Sequence, residues 1–106
     1  MGLTFKEDCP DLRNTKVADI IQELKVFNVR VDVYDPWVNP EESEKKYAIT
    51  PQTQLENGLY DGVVLAVAHR QFREMDVTEI RQLGKRNHVL YDLKYILGRE
   101  KADLRL

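Results

Sequence analysis

Met1-Gly2-Leu3-Thr4-Phe5-Lys6-Glu7-Asp8-Cys9-Pro10-Asp11-Leu12-Arg13-Asn14-Thr15-Lys16 opens the chain, and its reading governs the rest. Gly2-Leu3-Thr4-Phe5 reads as a strand, Lys6 to Arg13 as a polar loop, and a helix enters at Asn14 or Thr15. A loop between a strand's carboxyl end and a helix's amino end is where open α/β sheets place ligands. The unpaired N–H groups and positive dipole end of such a helix favour anions. Lys6, Arg13 and Lys16 lie in the same stretch. An anion-binding loop is therefore the first functional expectation.

The chain beyond it supports an α/β reading. Val17, Ile20, Ile21 and Leu24 recur at i, i+3, i+4 and i+7, which predicts an amphipathic helix over residues 14–27. Asn14 is the expected N-cap and Asn28 the expected stop. Val29, Val31 and Val33 alternate with Arg30, Asp32 and Tyr34, which reads as a second strand ended by Asp35-Pro36. Strand, crossover helix and strand make a βαβ unit with parallel strands. Pro40 followed by Glu41-Glu42-Ser43-Glu44-Lys45-Lys46 suits a short exposed helix. Tyr47-Ala48-Ile49 reads as a brief strand and Gln52 to Asn57 as another helical turn. Gly62-Val63-Val64-Leu65-Ala66-Val67 is a continuous apolar run, the pattern of a parallel strand covered on both faces. Residues 69–75 and 77–83 read as two short helices, the second capped by Asp76 and ended by Gly84. Residues 87–91 read as the next strand, and the charged stretch 98–106 as a surface tail. The architecture expected is a three-layer, Rossmann-like α/β domain with a mostly parallel sheet, one domain spanning 1–106.

Composition narrows the function classes. The chain has 106 residues, enough for one domain with a core of its own. Hydrophobic residues at 42% and charged residues at 32% suit a globular protein, and a net charge of −2 gives no global nucleic-acid signal. No apolar run is long enough to span a bilayer. Lys6 follows the apolar start instead of preceding it, so no secretory leader is read there and a cytoplasmic location is expected. With one cysteine, neither an internal disulfide nor a cysteine-based zinc site is expected.

Three ordered stretches also carry a family likeness. The first is Gly2 to Lys16, with Phe5, Lys6, Asp11 and Arg13 at the spacing of a family signature. Cys9 stands where that signature often has Thr, and Thr15 where it often has Ser. The second is Tyr60-Asp61-Gly62-Val63-Val64-Leu65-Ala66-Val67-Ala68-His69. The third is Tyr91-Asp92-Leu93-Lys94, where the wider family reads Asp-Gly-Arg. Together they resemble the C-terminal, UDP-sugar-binding domain of the UDP-glucose/GDP-mannose dehydrogenase family. The likeness is to the branch acting on UDP-N-acetylhexosamines in bacterial surface-polysaccharide synthesis.

The resemblance implies NAD-dependent oxidation of a sugar C6 hydroxyl to a carboxylate by a larger, oligomeric enzyme. Its remaining domains would hold the cofactor and the nucleophilic cysteine. It implies that Phe5, Lys6 and Lys94 serve the UDP-sugar, that Arg13 reaches toward the NAD, and that Asp11 orients the loop or that arginine. No catalytic residue and no metal ligand is expected in this stretch. The family's first strand has several apolar residues before its Gly-Leu-Thr-Phe segment, so a shortened central first strand is expected here.

Each residue has a blander reading beside that one. By position alone, Lys6 is as readily a solvated loop lysine, and Lys94 an exposed one that lacks the bidentate geometry of arginine. Arg13 is as readily the partner of Asp11 or Asp8 in a surface pair. His69 follows the apolar strand on the expected ligand side, yet a packing or helix-starting role is the more common one. Cys9 is read as a loop residue, not a nucleophile. Asp35 is read as part of a turn, because no Gly-x-Gly-x-x-Gly precedes the first helix to bring a pyrophosphate close. The rivals are a free-standing nucleotide-binding or regulatory α/β module and a receiver-like signalling domain. Lys6 stands where the receiver would need an acid.

Overall fold

The computed structural model describes residues 1–4, 6–13 and 15–105. The expectations placed on Phe5 as a ligand contact and on Asn14 as a cap lie outside the described residues. The helix they lead into is α1, Lys16–Val26, and Thr15 caps it with extended backbone and a side-chain oxygen that accepts the Val17 N–H at 3.3 Å. The Thr15 hydroxyl also donates to the Leu3 carbonyl at 2.6 Å, tying the helix start to the chain's first extended segment. Asn28 stops the helix in the left-handed conformation, at φ 60°. Its N–H and that of Val29 close onto Lys25 and Leu24.

Three parallel strands form the sheet among the described residues, in the order β1 (Tyr60–Leu65), β2 (Gly84–Asp92), β3 (Leu104–Arg105). α2 (Pro40–Tyr47) precedes β1, α3 (Arg70–Glu74) and α4 (Val77–Arg81) lie between β1 and β2, and a 3-10 turn, Arg99–Lys101, lies between β2 and β3. α2 begins with a side-chain cap, Asn39 accepting from Glu41 and Glu42, and with Pro40 at its first position, where no N–H is needed. Asp76 caps α4 by accepting the Thr78 N–H, as its sequence predicts. Tyr47 ends α2 and Ala48 turns left-handed at φ 55°, so no strand forms at 47–49, and 52–57 is turn and loop without helix.

The first two expected strands are extended but do not join the ladder. Gly2 N–H donates to the Tyr34 carbonyl at 2.8 Å, and on the other side the Met1 nitrogen and carbonyl bond Val64 and Ala66. Residues 1–2 thus run between 34 and β1, the central place expected of them. A longer ladder does not form there because one Asp35 oxygen takes the next two amides, Leu3 at 2.6 Å and Thr4 at 3.1 Å. A neighbouring strand's carbonyls would otherwise accept those bonds. Gly2 has φ 97° and an added Cβ would stand 2.6 Å from the Val67 Cβ, so only glycine fits this crossing.

Two apolar clusters make the core. Leu3, Leu12, Ala18, Ile21, Val33 and Ile49 gather around α1, while Val63, Leu65, Ile80, Leu83 and Leu90 join the strands to α4. Ile20, expected on the buried face of α1, is 40% exposed and lies at the rim of a cleft. The charged tail is not loose surface. Asp103 accepts the Leu90 N–H and returns its own to the Leu90 carbonyl, Arg81 clamps the Asp103 carboxylate at 3.0 Å, and 104–105 become an edge strand.

Candidate functional site

The carboxyl ends of β1 and β2 and the amino end of α1 meet around a cleft of about 460 Å³. Lys6, Lys16 and Lys94 line it, from three separate places in the chain. Lys6 follows the first extended segment, Lys16 is the first residue of α1, and Lys94 lies two residues beyond β2. All three are exposed, and among the described residues none is ion-paired. Glu7 is the one acid among the described residues of the lining. The helix end adds its own partial positive charge. Lys6 and Lys94 are the pair expected of the site; Lys16, which the sequence shows only as a basic residue of the first stretch, joins them here. A second cleft, about 240 Å³, lies between α1, residues 29–33 and β1; its walls are Ile20, Ile21, Leu24, Val31 and Val64, and its charged side chains are Arg30 and Asp32. Its apolar walls suit a charged ligand poorly, so the lysine cleft is the candidate site.

Each lysine-bearing loop hangs from a buried carboxylate. Asp92, fully buried at the end of β2, accepts Lys94 N–H at 3.2 Å and Ile96 N–H at 3.1 Å through one oxygen, and Leu97 N–H at 2.8 Å through the other. The Leu93 N–H donates to the Leu65 carbonyl and ties the same loop to β1. Asp35 performs the matching task for the first loop, accepting from Leu3, Thr4 and, at 2.7 Å, Trp37. The turn read at Asp35-Pro36 is present, but the carboxylate does more than close it. Burial raises the Asp35 carboxyl's pKa, yet the His69 bond and the three N–H donors outweigh it and hold it below the ordinary value.

Asp92→Ala should leave three loop N–H groups without their acceptor. A loss of roughly 2–4 kcal/mol is expected, near the low end of about 1–3 kcal/mol per buried orphan because part of the loop can reach water. Urea denaturation measures it; an unchanged midpoint would mean that the loop holds itself.

Arg13 stands apart from the cleft. Its guanidinium grips Asp11 by two bonds, at 3.1 and 3.0 Å, and its side chain is 78% exposed. The Arg13 side-chain bond, helped by the Arg13 backbone N–H, draws the Asp11 carboxyl down to about 2. Cys9 is a half-buried free thiol. His69 precedes α3 and is fully buried, so it is a packed and hydrogen-bonded residue rather than a ligand contact. No group of His, Cys, Asp and Glu among the described residues could hold a metal ion. No helix among the described residues is long and apolar enough to cross a membrane.

The cleft's strand-end position and its excess of cations fit a nucleotide diphosphate, and comparison with known proteins carries that reading to a family. Residues 1–99 match the model described as the UDP-glucose/GDP-mannose dehydrogenase family, UDP binding domain.

The chain belongs to this dehydrogenase family.

It is 59% identical over 106 residues to a UDP-N-acetyl-D-glucosamine 6-dehydrogenase of Pseudomonas aeruginosa, covering 100% of this chain and 25% of that protein. It is 47% identical over the same 106 residues to the Salmonella typhi protein of that name, again 25% of its length. Protein CapL of Staphylococcus aureus is 36% identical over 104 residues, 98% of this chain and 24% of CapL. In structure the chain is similar to the UDP-N-acetyl-mannosamine dehydrogenase Cap5O from S. aureus. The TM-score is 0.71 at 20% identity, covering 98% of this chain and 24% of that one, a likeness of fold. The chain thus spans about a quarter of the length of the dehydrogenase-family relatives it matches.

Proposed function

We propose that this chain is the UDP-sugar-binding part of an NAD-dependent UDP-N-acetylhexosamine 6-dehydrogenase of polysaccharide synthesis. The observation that carries the reading is the convergence of Lys6, Lys16 and Lys94 on one cleft at the strand ends. A diphosphate brings two or more negative charges to that place. Ammonium groups answer them as point charges, and the N-terminal N–H groups of α1 add directed donors. Lys6 and Lys94 are the pair the family signature assigns to the UDP-sugar, and the fold brings both to the same cleft. Phe5 belongs to that set by the signature alone.

NAD supplies the hydride acceptor in such an enzyme and is held elsewhere. This chain has no glycine fingerprint before α1, and Thr15 occupies the helix start with its own bonds. Arg13 suits an approach to the cofactor from outside: its planar fork is exposed and fixed in direction by Asp11. The chain's part is to bind and orient the nucleotide end of the substrate. Membership of a dehydrogenase family favours this over a free-standing regulatory module. We read the architecture as one Rossmann-like, three-layer domain acting in the cytoplasm within a homo-oligomeric enzyme.

Calorimetric titration of the 106-residue chain with UDP tests the proposal. Binding should weaken as salt rises, because the contacts are between charges. Lys6→Ala and Lys94→Ala should each lose about tenfold in affinity, the scale of one charge-assisted hydrogen bond. Lys94→Arg and Arg13→Ala should stay near wild type. No heat of binding with wild-type chain, or a loss with Arg13→Ala equal to that with Lys6→Ala, would overturn it.

A further inference from the structure

His69 takes no part in the cleft lining, yet its ring holds the chain on both sides of Lys6. The imidazole is fully buried. Its Nδ1 accepts the backbone N–H of Asp8 at 2.9 Å, so Nδ1 carries no proton. The proton therefore sits on Nε2, which lies 2.9 Å from Asp35 Oδ2 and 3.1 Å from the Thr4 hydroxyl oxygen. The Thr4 hydroxyl in turn donates to the Lys6 carbonyl at 3.1 Å. Asp8 and Thr4 are the residues two after and two before Lys6. One neutral imidazole thus bonds both flanks of the lysine, across 61 and 65 residues of sequence.

The ring cannot easily give way. It packs against Phe72 at 5.5 Å between centroids and against Trp37 at 6.2 Å, and the Trp37 indole N–H is fixed on Gln71. Asp8, left-handed at φ 54°, is clasped a second time through its carboxylate by the Arg70 N–H and the Arg73 guanidinium. With Nδ1 unprotonated, the 3.9 Å between it and Asp8 Oδ1 is a neighbour contact and not an ion pair.

We propose that His69 is a positioning residue for the anion site: in its Nε2–H form, oriented by Asp35 and Thr4, it holds the Asp8 amide through Nδ1 and so fixes Lys6 at the cleft. The inference rests on the UDP-binding reading for its effect on affinity, but not for its effect on the loop. A histidine that merely fills the core would leave the lysine's placement unchanged once the core is refilled.

Two conservative variants separate the ring's bonds. His69→Asn places an amide oxygen near Nδ1 and keeps an acceptor for Asp8, whereas His69→Gln places an amide near Nε2 and keeps the bond to Asp35 while losing Asp8. His69→Asn should bind UDP within about threefold of wild type, and His69→Gln should lose about tenfold, as though the Lys6 contact were removed. Two readouts need no ligand. Long-range nitrogen–proton spectra of the wild-type chain should show Nε2 protonated and Nδ1 bare. Amide exchange at Asp8 should be slow in wild type and His69→Asn, and fast in His69→Gln with the β1 and β2 amides still protected. A protonated Nδ1, a fast Asp8 amide in the wild type, or equal UDP affinity in both variants and wild type would overturn the proposal. If His69→Gln does not fold, the wild-type tautomer and Asp8 exchange decide it. Failure of the wild-type chain to bind UDP would strike the proposed function instead, and the two ligand-free readouts would still judge the loop.

Discussion

Asp35→Ala is expected to bring the chain to the edge of unfolding at room temperature. The carboxylate accepts four bonds, from Leu3, Thr4, Trp37 and His69, and its side chain is fully buried. Alanine offers none of those donors a partner, and no water can reach most of them. Each orphaned buried donor costs roughly 1–3 kcal/mol, so even at the low end four cost about 4 kcal/mol. Whole domains of this size have a stability of only about 5–15 kcal/mol. Urea denaturation followed by circular dichroism measures the change. The acid limb provides a second test. Asp35 is held below the ordinary carboxylate value of 3.8. As pH falls below that value the unfolded chain takes up the proton first, so this part of the stability is present above about pH 4 and is lost as pH drops through the folded pKa. Asp35→Asn should therefore be less stable at neutral pH and should show a shallower decline on acidification. A mutant with wild-type midpoint and wild-type acid limb would show that Asp35 does not hold the first loop.

Phe72→Ala should have the next largest effect, about 3–5 kcal/mol. Phe72 is fully buried and is the one buried residue of α3, a helix of five residues. So short a helix has little stability of its own and depends on its anchor. The ring lies 6.1 Å from Tyr34 and 5.5 Å from His69, between the segment that ends at Asp35 and the loop carrying Lys6. At about 4–8 °C per kcal/mol for a domain of this size, the melting temperature should fall by some 20 °C. Phe72→Leu should cost much less, since it leaves a smaller cavity. A drop of only a few degrees for the alanine variant would show that the neighbours collapse into the space.

Local chemistry made the helices legible and left the pairings obscure. Asn39-Pro40 and Asp76 announce α2 and α4 because caps act within three residues. β1 is announced by its apolar run. β2 starts three residues before the strand read in the sequence, at the glycine taken for a helix stop. Lys85, Arg86 and Asn87 are exposed there and look like loop. The alternation at Val29, Val31 and Val33 reports extended backbone correctly, but whether an extended segment pairs depends on a partner far away, and Asp35 takes the amides concerned. The site divides in the same way. Lys6 and Lys94 are visible as basic residues beyond strand ends. The roles of Lys16, Asp92 and His69 exist only once distant segments meet, as with the 65 residues between Thr4 and His69.

The lysine cleft places three ammonium groups around one opening with a single acid among the described residues, Glu7, on its wall. Without a ligand they repel one another, and nothing in the packing requires them. Removing any one of them should leave the empty protein no less firm, and only the occupied one poorer. In the empty protein this patch brings only repulsion, and an anion seated among the three ammonium groups would turn that repulsion into attraction.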